Sequence, residues 1–103
     1  MAEALERLWL RFLPETRARI AILESAAQSL AAGALDPGQT QAAAGAAHKL
    51  AGTLGTFGLN HGTAVARELE QLYARGNGLT PETAASLAGE LRQMVESRTA
   101  PST

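Results

Sequence analysis

Hydrophobic side chains recur at intervals of three or four positions along most of the chain, and this spacing is typical of amphipathic helices. We interpret the pattern as one short helix followed by four longer ones. They cover about residues 2–12, 14–32, 38–57, 60–75 and 81–98. Short connections that contain glycine and polar residues join the longer segments. The pattern therefore predicts an all-α protein, an up-down four-helix bundle with an additional short N-terminal helix.

Helix-breaking and helix-capping residues stand at most of the predicted boundaries. Pro14 separates the first two segments, because proline fits the first turn of a helix and disrupts its interior. Gly33 and Gly58 follow the last apolar positions of two segments, where glycine commonly ends a helix. Asn60 and Thr80 carry side chains that cap helix N-termini, so each predicts the start of a helix.

The composition favours helices and narrows the possible functions. Alanine, the best helix former, is abundant, and the β-branched residues Val and Ile are few. The absence of cysteine excludes disulfides and cysteine-based zinc sites. A net charge of −1 provides no basic surface for nucleic acid or an anionic membrane. The chain has no apolar run of about 20 residues and no signal peptide, so we expect a cytoplasmic location.

The length indicates a single domain. The 103 residues are about one domain's worth, and we assign residues 1–98 to the helical bundle. Residues 99–103 are interpreted as a flexible tail or as the start of a linker. We expect this domain to be a monomer.

His48 lies among very small residues in the segment 38–57. At about 100° per residue, five residues with a methyl group or less fall within about 60° of it. They are Ala44, Gly45, Ala51, Gly52 and Gly55. A helix-interior glycine is destabilising by about 1 kcal/mol relative to alanine, so the three glycines together cost about 2–3 kcal/mol. Access to the His48 ring by another protein's active site would explain that cost.

An imidazole is a suitable nucleophile for such access. It titrates near neutral pH, so its neutral, nucleophilic form is well populated in the cytosol. One ring nitrogen can attack phosphorus while the other donates its proton to an acceptor. A solvated surface histidine without a function would occupy the same position, and the spacing alone leaves both interpretations open.

The residues around His48 also resemble the signature of histidine-phosphotransfer (HPt) domains. The resembling segment, residues 47–59, reads AHKLAGTLGTFGL. Among the residues that follow the histidine, four match the signature: Leu50, Gly52, Thr53 and Gly58. The helices from Pro14 onward fit the four-helix bundle of that family, so the resemblance covers nearly the whole chain.

The resemblance implies a relay function. His48 would be phosphorylated, on Nε2, by a receiver domain's phospho-aspartate or by a histidine kinase, and would pass the group to another receiver. The domain would be a phosphotransfer intermediate and not an autonomous kinase. It would hold no cofactor of its own, because the partner receiver would supply Mg²⁺. Glu70 stands where chemotaxis-kinase phosphotransfer domains have the acid that binds the Nδ1 proton.

Two departures from the signature concern charge and polarity. Ala51 stands where a lysine is common, and Leu54 replaces the second small polar residue. Lys49 lies about 100° round the helix from His48. We expect six residues to provide receiver docking or access: Gly45, Lys49, Ala51, Gly52, Gly55 and Arg67.

Other interpretations rest on fewer residues. His48 and His61 are thirteen positions apart across a helix break, with no third ligand in view, so a metal site is not expected. Trp9 belongs either to an exposed patch or, as we expect, to the packed end of the bundle.

The alternative function is a docking or dimerisation module of the same fold in which His48 is not phosphorylated, and Ala51 in place of lysine favours it.

Overall fold

Four antiparallel helices make up the computed structural model, which describes residues 2–100. They are α1 (Ala2–Ala31), α2 (Pro37–Thr56), α3 (Asn60–Arg75) and α4 (Pro81–Thr99). Each helix packs against the next, and α4 closes the ring against α1. Among residues 2–100 there is no strand, and no Cα atoms of either diagonal helix pair lie within 8 Å of each other. The predicted all-α, up-down four-helix bundle is confirmed.

The predicted break at Pro14 is wrong, because α1 continues through it as one helix of 30 residues. An apolar stripe explains the continuity: Trp9, Leu13 and Ile20 are all buried on one face of α1. Pro14 lies on the exposed face. The carbonyl that it leaves without a donor belongs to Leu10, which is itself exposed and can be solvated. There is consequently no separate short N-terminal helix.

The N-terminal third of α1 closes one end of the bundle around Trp9. The Trp9 ring is fully buried and contacts Phe57 edge to face, with 5.0 Å between the ring centroids. The Arg98 guanidinium lies over the Trp9 ring, with its Cζ atom 5.1 Å from the ring centroid. The Nε1 atom of Trp9 donates to Oγ1 of Thr99 at 3.0 Å. Packing at the end of the bundle, the expectation for Trp9, is thus confirmed.

The predicted start of the C-terminal tail at residue 99 is wrong. Thr99 is the last residue of α4 and is held by the Trp9 hydrogen bond, so the tail does not begin at residue 99. Residues 101–103 of that predicted tail lie outside the described part of the chain.

Capping residues set most of the other helix ends. Asp36 forms a capping box with Gln39 at the start of α2, and Thr80 accepts from the backbone N–H of Thr83 at the start of α4. Gly33 and Gly58 have positive φ values of 70° and 75° after α1 and α2, as predicted for helix-ending glycines.

Asn60 does not cap α3, contrary to prediction. The connection after α2 is so short that Asn60 is already the first helical residue. The N-cap position falls on the half-buried Leu59, whose side chain makes no capping hydrogen bond.

Small residues let α2 and α3 approach closely. Ala47 on α2 and Ala66 on α3 are fully buried between them. A Cβ atom on Gly62 of α3 would lie only 3.0 Å from Cδ1 of Leu54, so a side chain there would force Leu54 to shift. The closeness of these two helices places their side chains within hydrogen-bond distance at the exposed edge of their contact.

Ion pairs link α1 to α4 on the opposite side of the bundle. Arg17 donates to both carboxylate oxygens of Glu96, at 2.8 and 2.6 Å, and Arg92 donates to Glu24 at 3.1 and 2.6 Å. The hydrogen bonds from Arg17, with the positive charges of Arg17 and Arg92, hold the pKa of the Glu96 carboxyl below its usual value. No helix among the described residues has the length and apolar character needed to cross a membrane.

Candidate functional site

His48 lies in the middle of α2, at the edge of that helix that faces α3. Its side chain is 73% exposed, and its Nδ1 atom lies 2.9 Å from Oε2 of Glu70 on α3. An ionised carboxylate only accepts hydrogen bonds, so the ring donates from Nδ1. The neutral ring then carries its lone pair on Nε2, and Nε2 has no hydrogen-bond partner within residues 2–100.

Glu70 lies on the edge of α3 that contacts α2, and a second side chain on this edge also binds α2. Thr63, two turns earlier on α3, donates from Oγ1 to the backbone carbonyl of Ala51 at 3.0 Å. The Glu70 side chain is 27% exposed, much less than that of its partner His48. The contact between His48 and Glu70 that the family resemblance implied is therefore present. Its effect on reactivity stays a prediction.

Thr63 was not anticipated from the sequence. Its hydroxyl ties α3 to α2 about two turns from Glu70, so it helps to fix the spacing of the two helices beside the site. The available signal was the antiparallel register: once His48 is paired with Glu70, Thr63 falls opposite Gly55.

The glycines near His48 differ in their surroundings. A Cβ atom built on Gly45 or on Gly52 would meet no other atom within 4 Å, so both positions border open space. A Cβ atom on Gly55 would lie 3.3 Å from Oγ1 of Thr63. Gly45 and Gly52 thus leave the surface beside the ring bare, as expected, whereas Gly55 mainly gives room to Thr63.

The expectation that Ala51 is accessible is wrong. Its exposure is only 7%, because α3 packs over it and Thr63 bonds to its carbonyl. Helical geometry alone placed Ala51 near His48 and could not show how closely α3 approaches. Lys49 and Arg67 are exposed, as expected, and neither forms an ion pair within the described part of the chain.

The second histidine also contacts a glutamate. His61, in the first turn of α3, places Nε2 at 3.2 Å from Oε1 of Glu90 on α4. Beside it lies an open groove of about 450 Å³ whose lining includes Leu59, Met94 and Arg98. Across residues 2–100, no three side chains among His, Asp and Glu stand close enough together to hold a metal ion.

The arrangement at His48 suits nucleophilic attack on an incoming group. Nε2 is the ring nitrogen farther from the backbone, and the side chain that carries it is 73% exposed. The position of Glu70 beside Nδ1 suits it to hold one tautomer and to offset positive charge that would develop on the ring if Nε2 formed a bond. The bare positions Gly45 and Gly52 leave room for a bulky partner beside the ring.

Comparison with known proteins gives one family and one relative. The family model described as "Hpt domain" matches residues 7–99. Protein RcaC from Microchaete diplosiphon is 38% identical over 80 residues, which are 78% of this chain and 12% of RcaC. The chain thus matches only a small part of that longer relative. No solved structure gives a significant match.

Proposed function

The chain belongs to the Hpt domain family, and from this premise we propose that it accepts a phosphoryl group on Nε2 of His48 and passes it to an aspartate of a receiver domain. Family membership assigns a histidine-phosphotransfer role in general. The residue, the atom and the partner are our proposal. The observation that supports them is the exposed His48 ring, bound through Nδ1 to Glu70 and bordered by two bare glycine positions.

The transfer step requires only one nucleophile from this chain. The Nε2 lone pair attacks the phosphorus of an aspartyl phosphate on the donor. An N–P bond forms as the P–O bond to the donor aspartate breaks, and the electron pair of that bond returns to the donor carboxylate. The proton stays on Nδ1, which continues to donate to Glu70. The reverse step delivers the group to the acceptor's aspartate.

We assign the remaining chemistry to the partner. Phosphoryl transfer depends mostly on positioning and on stabilising charge, and the receiver would supply Mg²⁺ for that purpose. A histidine kinase is the other donor compatible with the same nucleophile. In this proposal the domain is an intermediate that does not phosphorylate itself. The expected cytoplasmic location and monomeric state stay predictions.

A docking or dimerisation module is the second candidate. Four large apolar side chains of α1 are exposed, and these could contact a partner without any chemistry at His48: Leu5, Leu10, Phe12 and Ile22. The two candidates differ in whether His48 carries phosphate.

Labelling by a phosphorylated receiver domain with Mg²⁺ tests the proposal. We expect wild type and His61→Gln to gain acid-labile, base-stable phosphate, and His48→Gln to gain none. His61 is a matched control because both histidine side chains are 73% exposed and both contact a glutamate. Circular dichroism should show the same helicity and the same Tm in all three proteins, since both rings lie on the surface. Phosphate that persists on His48→Gln would contradict the proposal, and a wild-type protein that no receiver labels would favour the docking module.

A further inference from the structure

Phosphorylation of His48 would place a strong negative charge beside an acid. This inference rests on the proposed function. A phosphoryl group on Nε2 carries up to two negative charges, and Glu70 is bound to the other nitrogen of the same ring. Like charges at such short distance destabilise the phosphorylated state unless a cation offsets them. The chain itself offers few cations at this edge of the bundle.

Arg67 is the cation that α3 presents on the side of Glu70. It precedes Glu70 by three residues, a spacing that makes side chains neighbours on a helix. Thr63 and Glu70, which flank it along the helix edge, both contact α2. Arg67 lies about 60° from Glu70 on the solvent side, because the buried residues Ala66 and Leu69 lie on the other side.

The guanidinium of Arg67 is not engaged elsewhere. Four other arginines (Arg17, Arg19, Arg92 and Arg98) form ion pairs with glutamates. Arg67 forms none with any described carboxylate, including Glu70. In the register that pairs His48 with Glu70, the residue of α2 opposite Arg67 is Ala51, whose side chain is a single methyl group and leaves the guanidinium unobstructed on that side. A guanidinium matches phosphate with paired, parallel hydrogen bonds.

The two remaining exposed cations near the site are placed less well. Lys49 lies about 100° round α2 from His48, on the side of α1: Ala42, two turns before it, lines a groove with α1 side chains. Arg75 is the last residue of α3 and lies about 140° round that helix from Glu70. Neither shares the edge on which Thr63 and Glu70 contact α2.

We propose that Arg67 pairs with the phosphoryl group carried by His48 and offsets its repulsion from Glu70. The domain would thus provide one cation for its own phosphorylated state, from the helix next to the one that bears the nucleophile. Arg67 acts on the phosphoryl group and leaves the unmodified ring unchanged. Its effect should therefore be seen only after phosphorylation.

Phosphorus NMR of the phosphorylated domain tests this role without a partner protein. The protein is loaded with a small-molecule phosphoramidate, and the phosphohistidine signal is followed as a function of pH. A nearby cation favours the dianion, so Arg67→Ala should raise the titration midpoint by about 0.5 pH unit. Arg67→Lys should recover most of that shift, and Arg75→Ala should match wild type. Lys49→Ala should also match wild type.

The outcomes separate this inference from the proposed function. A wild-type protein that forms phosphohistidine, with the same midpoint in Arg67→Ala, would overturn the role of Arg67 alone. A larger shift in Lys49→Ala than in Arg67→Ala would also overturn it, in favour of the cation on α2. A wild-type protein that forms no phosphohistidine would overturn the proposed function and this inference together. Helicity measured on each variant shows whether a shift accompanies loss of structure.

Discussion

The two histidines of this bundle have the same exposure and similar partners, yet they contact those partners through different ring nitrogens. Both side chains are 73% exposed, and each contacts a glutamate of the neighbouring helix. His48 donates from Nδ1 and leaves Nε2 free, whereas His61 contacts its glutamate through Nε2. The other ring nitrogen of His61 is Nδ1, which is the one closer to the backbone of the helix.

Their surroundings differ as well. Gly45 and Gly52 leave open space beside His48, while Leu59 and Met94 line the groove beside His61. Exposure and a carboxylate partner therefore do not by themselves identify a phosphate acceptor. The ring nitrogen that stays free, and the size of the side chains around it, distinguish the two sites.

The largest effect after removal of His48 itself should come from filling the space beside it. Gly52→Gln places a long side chain next to the ring, and a displacement of about 1 Å in the reacting groups is enough to slow transfer about a hundredfold. The helix should be kept or stabilised, because glutamine is the better helix former. Transfer rates from a phosphorylated receiver and the Tm measure the two effects separately.

Gly89 provides the control for this substitution. It lies within α4, is exposed and borders open space, as Gly52 does. Gly89→Gln should leave the transfer rate unchanged. If Gly52→Gln reacts at the wild-type rate, the small residues beside His48 do not serve to give a partner access to the ring.

A smaller effect is expected from the glutamates. Glu70→Ala removes one charge-assisted hydrogen bond to the ring, worth about 1.4 kcal/mol, so transfer should slow about tenfold without being lost. Glu90→Ala removes the corresponding contact of His61 and should change nothing. Single-turnover rates for both variants provide the test, and equal rates in Glu70→Ala and wild type would remove Glu70 from the site.

Much of the fold could be predicted from local signals. The glycines that end α1 and α2 and the threonine that caps α4 act within one turn of chain, so their effect is visible in the sequence. Pro14 was misjudged because burial of Trp9, Leu13 and Ile20 keeps α1 continuous, and that packing involves distant parts of the chain. The tertiary contacts overrode a local preference.

The site could be predicted in part for the same reason. The position of His48 on the surface of α2 followed from helical spacing, and the bare positions Gly45 and Gly52 followed with it. The burial of Ala51 and the hydrogen bond from Thr63 depend on how closely α3 approaches α2. The spacing of residues along one helix gives no information about that distance. Contacts between helices are therefore what the structure adds.

NMR of the phosphorylated protein, with its histidines isotopically labelled, measures which ring nitrogen bears phosphorus. We predict coupling between phosphorus and Nε2 of His48, with the proton retained on Nδ1. Phosphorus on Nδ1 of His48, or on either nitrogen of His61, would contradict the account.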